Sequence, residues 1–117
     1  MDANLEKRRK TTVKLWVDDV RPAPNDIDYL HSYSVDHAKT LIQIIEKRGI
    51  NGDNVIELID IDHDAGDYAC AGGDYIKLLD WLEETGRSYP IHIHSMNVVG
   101  RMNMEAICRR NGWTIVE

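Results

Sequence analysis

The run Val55 to Ile61 is almost continuously aliphatic and leads straight into three ionisable residues, Asp62-His63-Asp64. Such a run marks a strand covered on both faces, as happens in parallel sheets buried by their crossover connections. Because unpaired buried charge is costly, Asp62, His63 and Asp64 are expected to emerge at the strand's mouth. The chain is thereby held to an α/β architecture in which helices alternate with parallel strands.

The other segments supply that alternation. Val13 to Val17 is an apolar β run that stops at Asp18-Asp19, before the breaker Arg21-Pro22-Ala23-Pro24-Asn25. Tyr29 to Tyr33 is a weaker strand. Ser34 is placed to cap a helix carrying Val35, Ala38, Leu41, Ile42 and Ile45, with Gly49 to close it. After the Gly-rich loop Ala65 to Gly73, the residues Ile76, Leu79 and Leu82, with Trp81 beside them, predict a second helix ending at Gly86. Pro90 introduces a strand over Ile91 to Ser95. Met96 to Gly100 lead into a third helix carrying Met102, Ala106 and Ile107, ended by Gly112, and Trp113 to Val116 predicts a last strand. Only the first connection is too short for a helix, so a mainly parallel sheet with right-handed crossovers is expected.

A chain of 117 residues is the size of one domain. With 43% apolar and 29% charged residues it can bury a core without staples. Cys70 and Cys108 form no CxxC pair, which argues against a disulfide framework or zinc ribbon and for a reducing, cytoplasmic setting. Residues 1–12 hold the basic run Lys7-Arg8-Arg9-Lys10 with no apolar h-region, and read as a solubilising tail ahead of a domain at 13–117. No stretch is long and apolar enough to span a membrane. The net charge of -6 disfavours bulk binding to DNA. The charge is uneven: ten acids face only Lys77 between Asp53 and Glu84, whereas Arg87, Arg101, Arg109 and Arg110 face Glu105 and Glu117 beyond it.

Ligands of open parallel sheets bind outside the carboxyl ends of the strands, where helix N-termini also open. Three strands end in chemistry there: Asp18-Asp19, Asp62-His63-Asp64 and His92-Ile93-His94-Ser95. Alternation puts His92 and His94 on one face. They are either a hydrogen-bonded pair beneath a helix or a working pair, with His94 nearer the mouth and His92 deeper. His31 and His37 read as structural or surface residues. Carboxylates from two strands suit a hard cation such as Mg²⁺, and imidazole ligands would shift the preference toward Mn²⁺, Fe²⁺ or Zn²⁺. Asn97 and Gly100-Arg101 begin the third helix, where backbone N–H groups and a guanidinium could clamp an anion. Arg101 has the alternative of a surface salt bridge, and Gly72-Gly73 that of a turn capped by Asp74. No GxGxxG, no GxxxxGK[ST] loop and no nucleophile elbow is present.

The acidic pair after the first strand, the aspartate ending the third and the hydroxyl ending the fourth resemble a receiver domain of two-component signalling. By that resemblance Asp18, Asp19 and Asp62 bind a divalent metal, the backbone of Asp64 completes the site, and Ser95 takes the place of the strand-four hydroxyl. The chain departs from receivers in having no lysine between Trp113 and Glu117 and a loop, Pro22 to Asp28, in place of the first helix. It is more similar to the cyclic-phosphate-processing receiver domains. That resemblance rests on Leu15-Trp16-Val17-Asp18-Asp19-Val20-Arg21-Pro22, Ile61-Asp62-His63-Asp64, and His92-Ile93-His94-Ser95-Met96-Asn97 with Val99-Gly100-Arg101. Ala65 stands where a leucine is expected, and Val98 where a proline is.

The resemblance implies a flavodoxin-like, receiver-like three-layer α/β sandwich on a mainly parallel five-stranded sheet, with the first helix replaced by a loop. It also implies a metal-dependent phosphoesterase acting on a phosphate-containing small molecule or RNA end, such as a 2',3'-cyclic phosphate terminus or a cyclic nucleotide. Asp18, Asp19, Asp62 and Asp64 would form the metal site, most readily with Mg²⁺ and otherwise with Mn²⁺ or Zn²⁺. His94 and His63 are the candidates for base and acid, with His92 and Asp62 in the same catalytic set. Ser95, Asn97 and Arg101 would hold the phosphate. The alternative is a receiver-like signalling module, non-catalytic or phosphoacceptor.

Overall fold

A computed structural model describes residues 11–24, 28–48 and 54–117 of the chain. The basic run Lys7 to Lys10, Asn25 of the breaker and Gly49 lie outside the described residues. Four parallel strands, β1 (Thr11–Val17), β2 (Tyr29–Ser32), β3 (Asn54–Ile61) and β4 (Ile91–Ile93), form one sheet in the order β2-β1-β3-β4. β1 begins at Thr11, inside the segment read from sequence as tail. The expected fifth strand is reduced to one bridge, Ile91 to Ile115, held by Ile91 N–H to Thr114 C=O and Val116 N–H to Ile91 C=O. β4 has only three residues, too short a template to pair further.

The helices are α1 (Val35–Arg48), α2 (Ile76–Glu84) and α3 (Val98–Asn111), with a 3₁₀ turn over Gly66–Cys70. Ser34 caps α1 as its sequence predicts, its Oγ accepting the His37 N–H at 3.1 Å. Leu78, Leu79 and Leu82 of α2 are fully buried, worth about 1.5–3 kcal/mol each. α3 closes on Gly112 at φ 70°, a left-handed position suited to glycine. Its buried stripe is Gly100, Met104, Ile107 and Cys108, not the expected Met102 and Ala106, which are exposed. The stripe follows the spacing i, i+4, i+7, i+8 counted from Gly100, the residue that meets the sheet edge.

Leu15, Val17, Ile59, Ile61, Ile91 and Ile93 project into a single core with the three helices. Trp16, Asp18, Asp60, His92 and His94 have the opposite parity and project to the other face. Among the described residues no helix covers that face. Its cover is the loop after β1, tied down where Trp16 Nε1–H donates to the Arg21 carbonyl at 2.6 Å and Ala23 is buried. The receiver-like α/β reading therefore holds, with a loop where a three-layer sandwich would have its third layer. Among the described residues no helix is long and apolar enough to cross a membrane.

Candidate functional site

The carboxyl ends of β1 and β3 are locked side by side by the Asp62 N–H donating to the Val17 carbonyl at 2.9 Å. This brings Asp18 and Asp19 beside Asp62. Asp18 is fully buried, and its Oδ1 accepts the N–H groups of Val20 and Arg21 at 3.0 and 2.9 Å. Burial alone would raise its pKa, but these bonds and His94 outweigh it and hold the carboxyl below its ordinary value. Asp19 goes the other way. Its pKa is raised by burial and by the charges of Asp18 and Asp62. The 3₁₀ turn reaches this cluster through Gly66, at φ 56°, where a Cβ would stand 2.3 Å from Asp19 Oδ2.

On the helix-free face, His94 bridges two buried carboxylates. Its Nε2 lies 2.8 Å from Asp18 Oδ2 and its Nδ1 2.6 Å from Asp60 Oδ1. An ionised carboxylate only accepts, so both ring nitrogens donate and the ring is an imidazolium. Burial opposes that charge, but Asp60 and Asp18 outweigh it and raise the His94 pKa above its ordinary value. The ring also stacks on Trp16, with centroids 3.8 Å apart and planes within 2°. His92 shares the face, as alternation predicts, with its Nδ1 2.8 Å from the same Asp60 oxygen. The depth order is the reverse of the expected one: the His94 side chain is 9% exposed and that of His92 35%. The turn after β4 tucks His94 under Trp16, whereas His92 opens to a groove of about 270 Å³ that Arg101 and Glu105 also line.

Asp60 is the residue sequence reasoning missed. It lies inside the aliphatic run, one strand period before Asp62, and its register partner is His92. The one available signal was an acid inside an otherwise aliphatic run; its register with His92 emerges only in the folded sheet.

His63 occupies the other side of the mouth. Its Nδ1 is 2.7 Å from Asp64 Oδ1 and 3.4 Å from Asn97 Nδ2, which leaves Nε2 without a partner among the described residues. The Asp64 carboxylate is thus directed at His63. Asn97 doubles as the α3 cap, its Oδ1 accepting the Gly100 N–H at 2.9 Å. Ser95 is buried and its Oγ accepts the Asn97 N–H at 3.0 Å. Arg101 has no ion pair among the described residues and lines the His92 groove. Arg21, not singled out from sequence, reaches the His94 carbonyl from β1's loop at 3.3 Å. His31 and His37 are structural, on the Asp18 carbonyl and Ser32 Oγ respectively. Asp74 accepts the Ala65 N–H, so it pins the start of the Gly-rich loop.

Donor atoms of Asp18, Asp62 and His94 lie within 4.8 Å of one another. Hard carboxylate oxygens gathered around a repelling neighbour, Asp19, fit a divalent cation, and one imidazole widens the choice beyond Mg²⁺. A family model described as the cyclic-phosphate processing receiver domain matches residues 13–110. No curated protein and no solved structure matches the chain significantly. That match spans most of a parallel receiver-like sheet whose strands end in Asp18-Asp19, Asp62 and His92 to Ser95, and the chain belongs to the cyclic-phosphate processing receiver domains.

Proposed function

We propose that the domain is a metal-dependent phosphoesterase that opens cyclic phosphates, either 2',3'-cyclic ends on RNA or a cyclic nucleotide. The observation that carries this reading is the meeting of Asp18 and Asp62, with Asp19 as their charged neighbour, and two carboxylate-oriented histidines at one sheet edge. Asp18, Asp19 and Asp62 would hold the cation, with Mg²⁺ the first choice and Mn²⁺ or Zn²⁺ next. A cation held there polarises the phosphoryl group and offsets its charge.

The residues then divide the proton work. His63, its Nδ1 fixed by Asp64, takes a proton from the attacking water at Nε2. As the new P–O bond forms, one ring P–O bond breaks. The departing ester oxygen takes a proton from His94, whose Nε2 carries one beside Asp18. The product is a phosphate monoester with a free hydroxyl. Asn97, beside His63, and the Ser95 hydroxyl would orient the phosphate.

The test is hydrolysis of a 2',3'-cyclic nucleotide and a cyclic-phosphate-terminated RNA with Mg²⁺, Mn²⁺ or Zn²⁺, and with EDTA as control. The expected result is metal-dependent opening, lost in Asp62→Asn and in His63→Ala. No turnover with any metal overturns it. Stable labelling of Asp62 by acetyl phosphate would then point to a phosphoacceptor module.

A further inference from the structure

We propose a second metal seat, formed by Asp60, His92 and His94, that takes a transition-metal ion such as Zn²⁺, Mn²⁺ or Co²⁺. It is distinct from the carboxylate seat of Asp18, Asp19 and Asp62 and does not depend on the reaction proposed above. The three donors come from β3 and from β4 and the residue just beyond it, where Asp60 and His92 are register partners. Both Nδ1 atoms converge on one carboxylate oxygen, at 2.8 Å from His92 and 2.6 Å from His94, and the three donors lie within 4.8 Å of one another.

A neutral histidine has one N–H to satisfy and needs one acceptor of its own. Here two imidazoles are aimed at a single oxygen in a buried position, an arrangement that one cation in place of the two N–H hydrogens would complete. Two imidazole nitrogens and one carboxylate are a ligand set for borderline metals, whereas Mg²⁺ prefers carboxylate oxygens such as those of Asp18 and Asp62 next door.

The outer support of a metal-bound histidine is also in place. His94 donates Nε2–H to Asp18 Oδ2 at 2.8 Å, so a metal at Asp60 displaces only the Nδ1 proton of the imidazolium. Trp16, stacked on the ring, fixes its plane. Three protein ligands leave coordination positions open, and His92 lines the groove of about 270 Å³ where Arg101 has no ion pair among the described residues. Although Glu105 and Glu117 also line the groove, the metal and the Arg101 guanidinium together suit an anionic oxygen donor, such as a phosphate ester.

The test is a Co²⁺ titration of the chelator-stripped full chain in excess Mg²⁺, followed by visible absorption and calorimetry. Wild type is expected to bind Co²⁺ despite the Mg²⁺. His92→Ala and Asp60→Asn should each weaken that binding by more than about tenfold, the size typical of losing only an outer partner of a ligand. Asp19→Asn should leave it unchanged. In wild type, bound Co²⁺ should shift the His92 and His94 ring resonances, a readout that needs no variant to fold. Co²⁺ binding that is unaltered in His92→Ala, competed away by Mg²⁺, or absent would overturn the second seat, whatever the hydrolysis assay gives.

Discussion

Gly100 of α3 lies against the ring of His63: a Cβ on Gly100 would stand 2.5 Å from His63 Cγ and Cδ2. The helix can approach the β3 mouth only because this residue has no side chain. Gly100→Ala gains helix propensity, worth up to about 1 kcal/mol, but pushes the imidazole aside. A misplacement of about 1 Å costs roughly 100-fold in rate. Gly100→Ala should therefore keep a near-wild-type melting temperature and lose at least about tenfold in kcat for cyclic-phosphate opening. Equal turnover would remove His63 from the proton transfer.

Gly66 and Gly112 share a positive φ, at 56° and 70°, but differ in what a Cβ would meet. At Gly66 it runs into Asp19 Oδ2, and at Gly112 it meets none of the described residues within 4 Å. Alanine at either position carries the left-handed penalty of roughly 1–2 kcal/mol. Only Gly66→Ala should also weaken Mg²⁺ binding, read as a smaller thermal shift on adding the metal. Equal Mg²⁺ responses from the two variants would mean that Asp19 is not a ligand.

Most of the fold was legible because hydrophobic period, caps and breakers agree with one another. Ser34, Gly86 and Gly112 end or begin helices where their chemistry says they should. What failed depends on tertiary context. Trp113 to Val116 looks like a strand, yet pairing needs a partner longer than β4 offers. Met102 was expected inside because it is apolar, but the face of α3 is set by how closely Gly100 meets His63. At the site, the strand-end acids and histidines were readable from position alone. Asp60 was not, since its role comes from cross-strand register with His92 and from the turn that carries His94 back over the same oxygen.

Glu46 ties α1 to the segment before β4. Arg87 grips its carboxylate through Nε and Nη2, the latter at 2.9 Å from Oε1, and the Tyr89 hydroxyl donates to it as well. Burial would raise the Glu46 pKa, but Arg87 and Tyr89 outweigh it and lower it. A carboxyl depressed in the folded state contributes stability above its unfolded pKa and loses it as pH falls through the folded value. Both side chains are partly exposed, so Glu46→Gln should cost only about 1 kcal/mol at neutral pH. Urea unfolding of wild type and variant should show that gap closing in acid. A gap that stays constant would assign the cost to packing.

The His94 bridge gives the metal-free protein a pH dependence at each end. Asp18 has a lowered pKa, so its contribution is present above its unfolded value and is lost as pH falls through the folded one. His94 has a raised pKa, so its contribution is complete below its ordinary value of 6.5 and is lost as pH rises through the folded value. Once the ring is neutral, one nitrogen no longer donates, and the Asp18 or Asp60 carboxylate it served is left buried without that partner. In EDTA, the urea midpoint should fall on the alkaline side, through a pH above 6.5, and His94→Gln should abolish that fall while keeping the acid one. Histidine NMR should place the His94 transition at the same pH as the loss of stability. If His94→Gln retains the alkaline fall, the imidazolium is not what holds the two carboxylates in place.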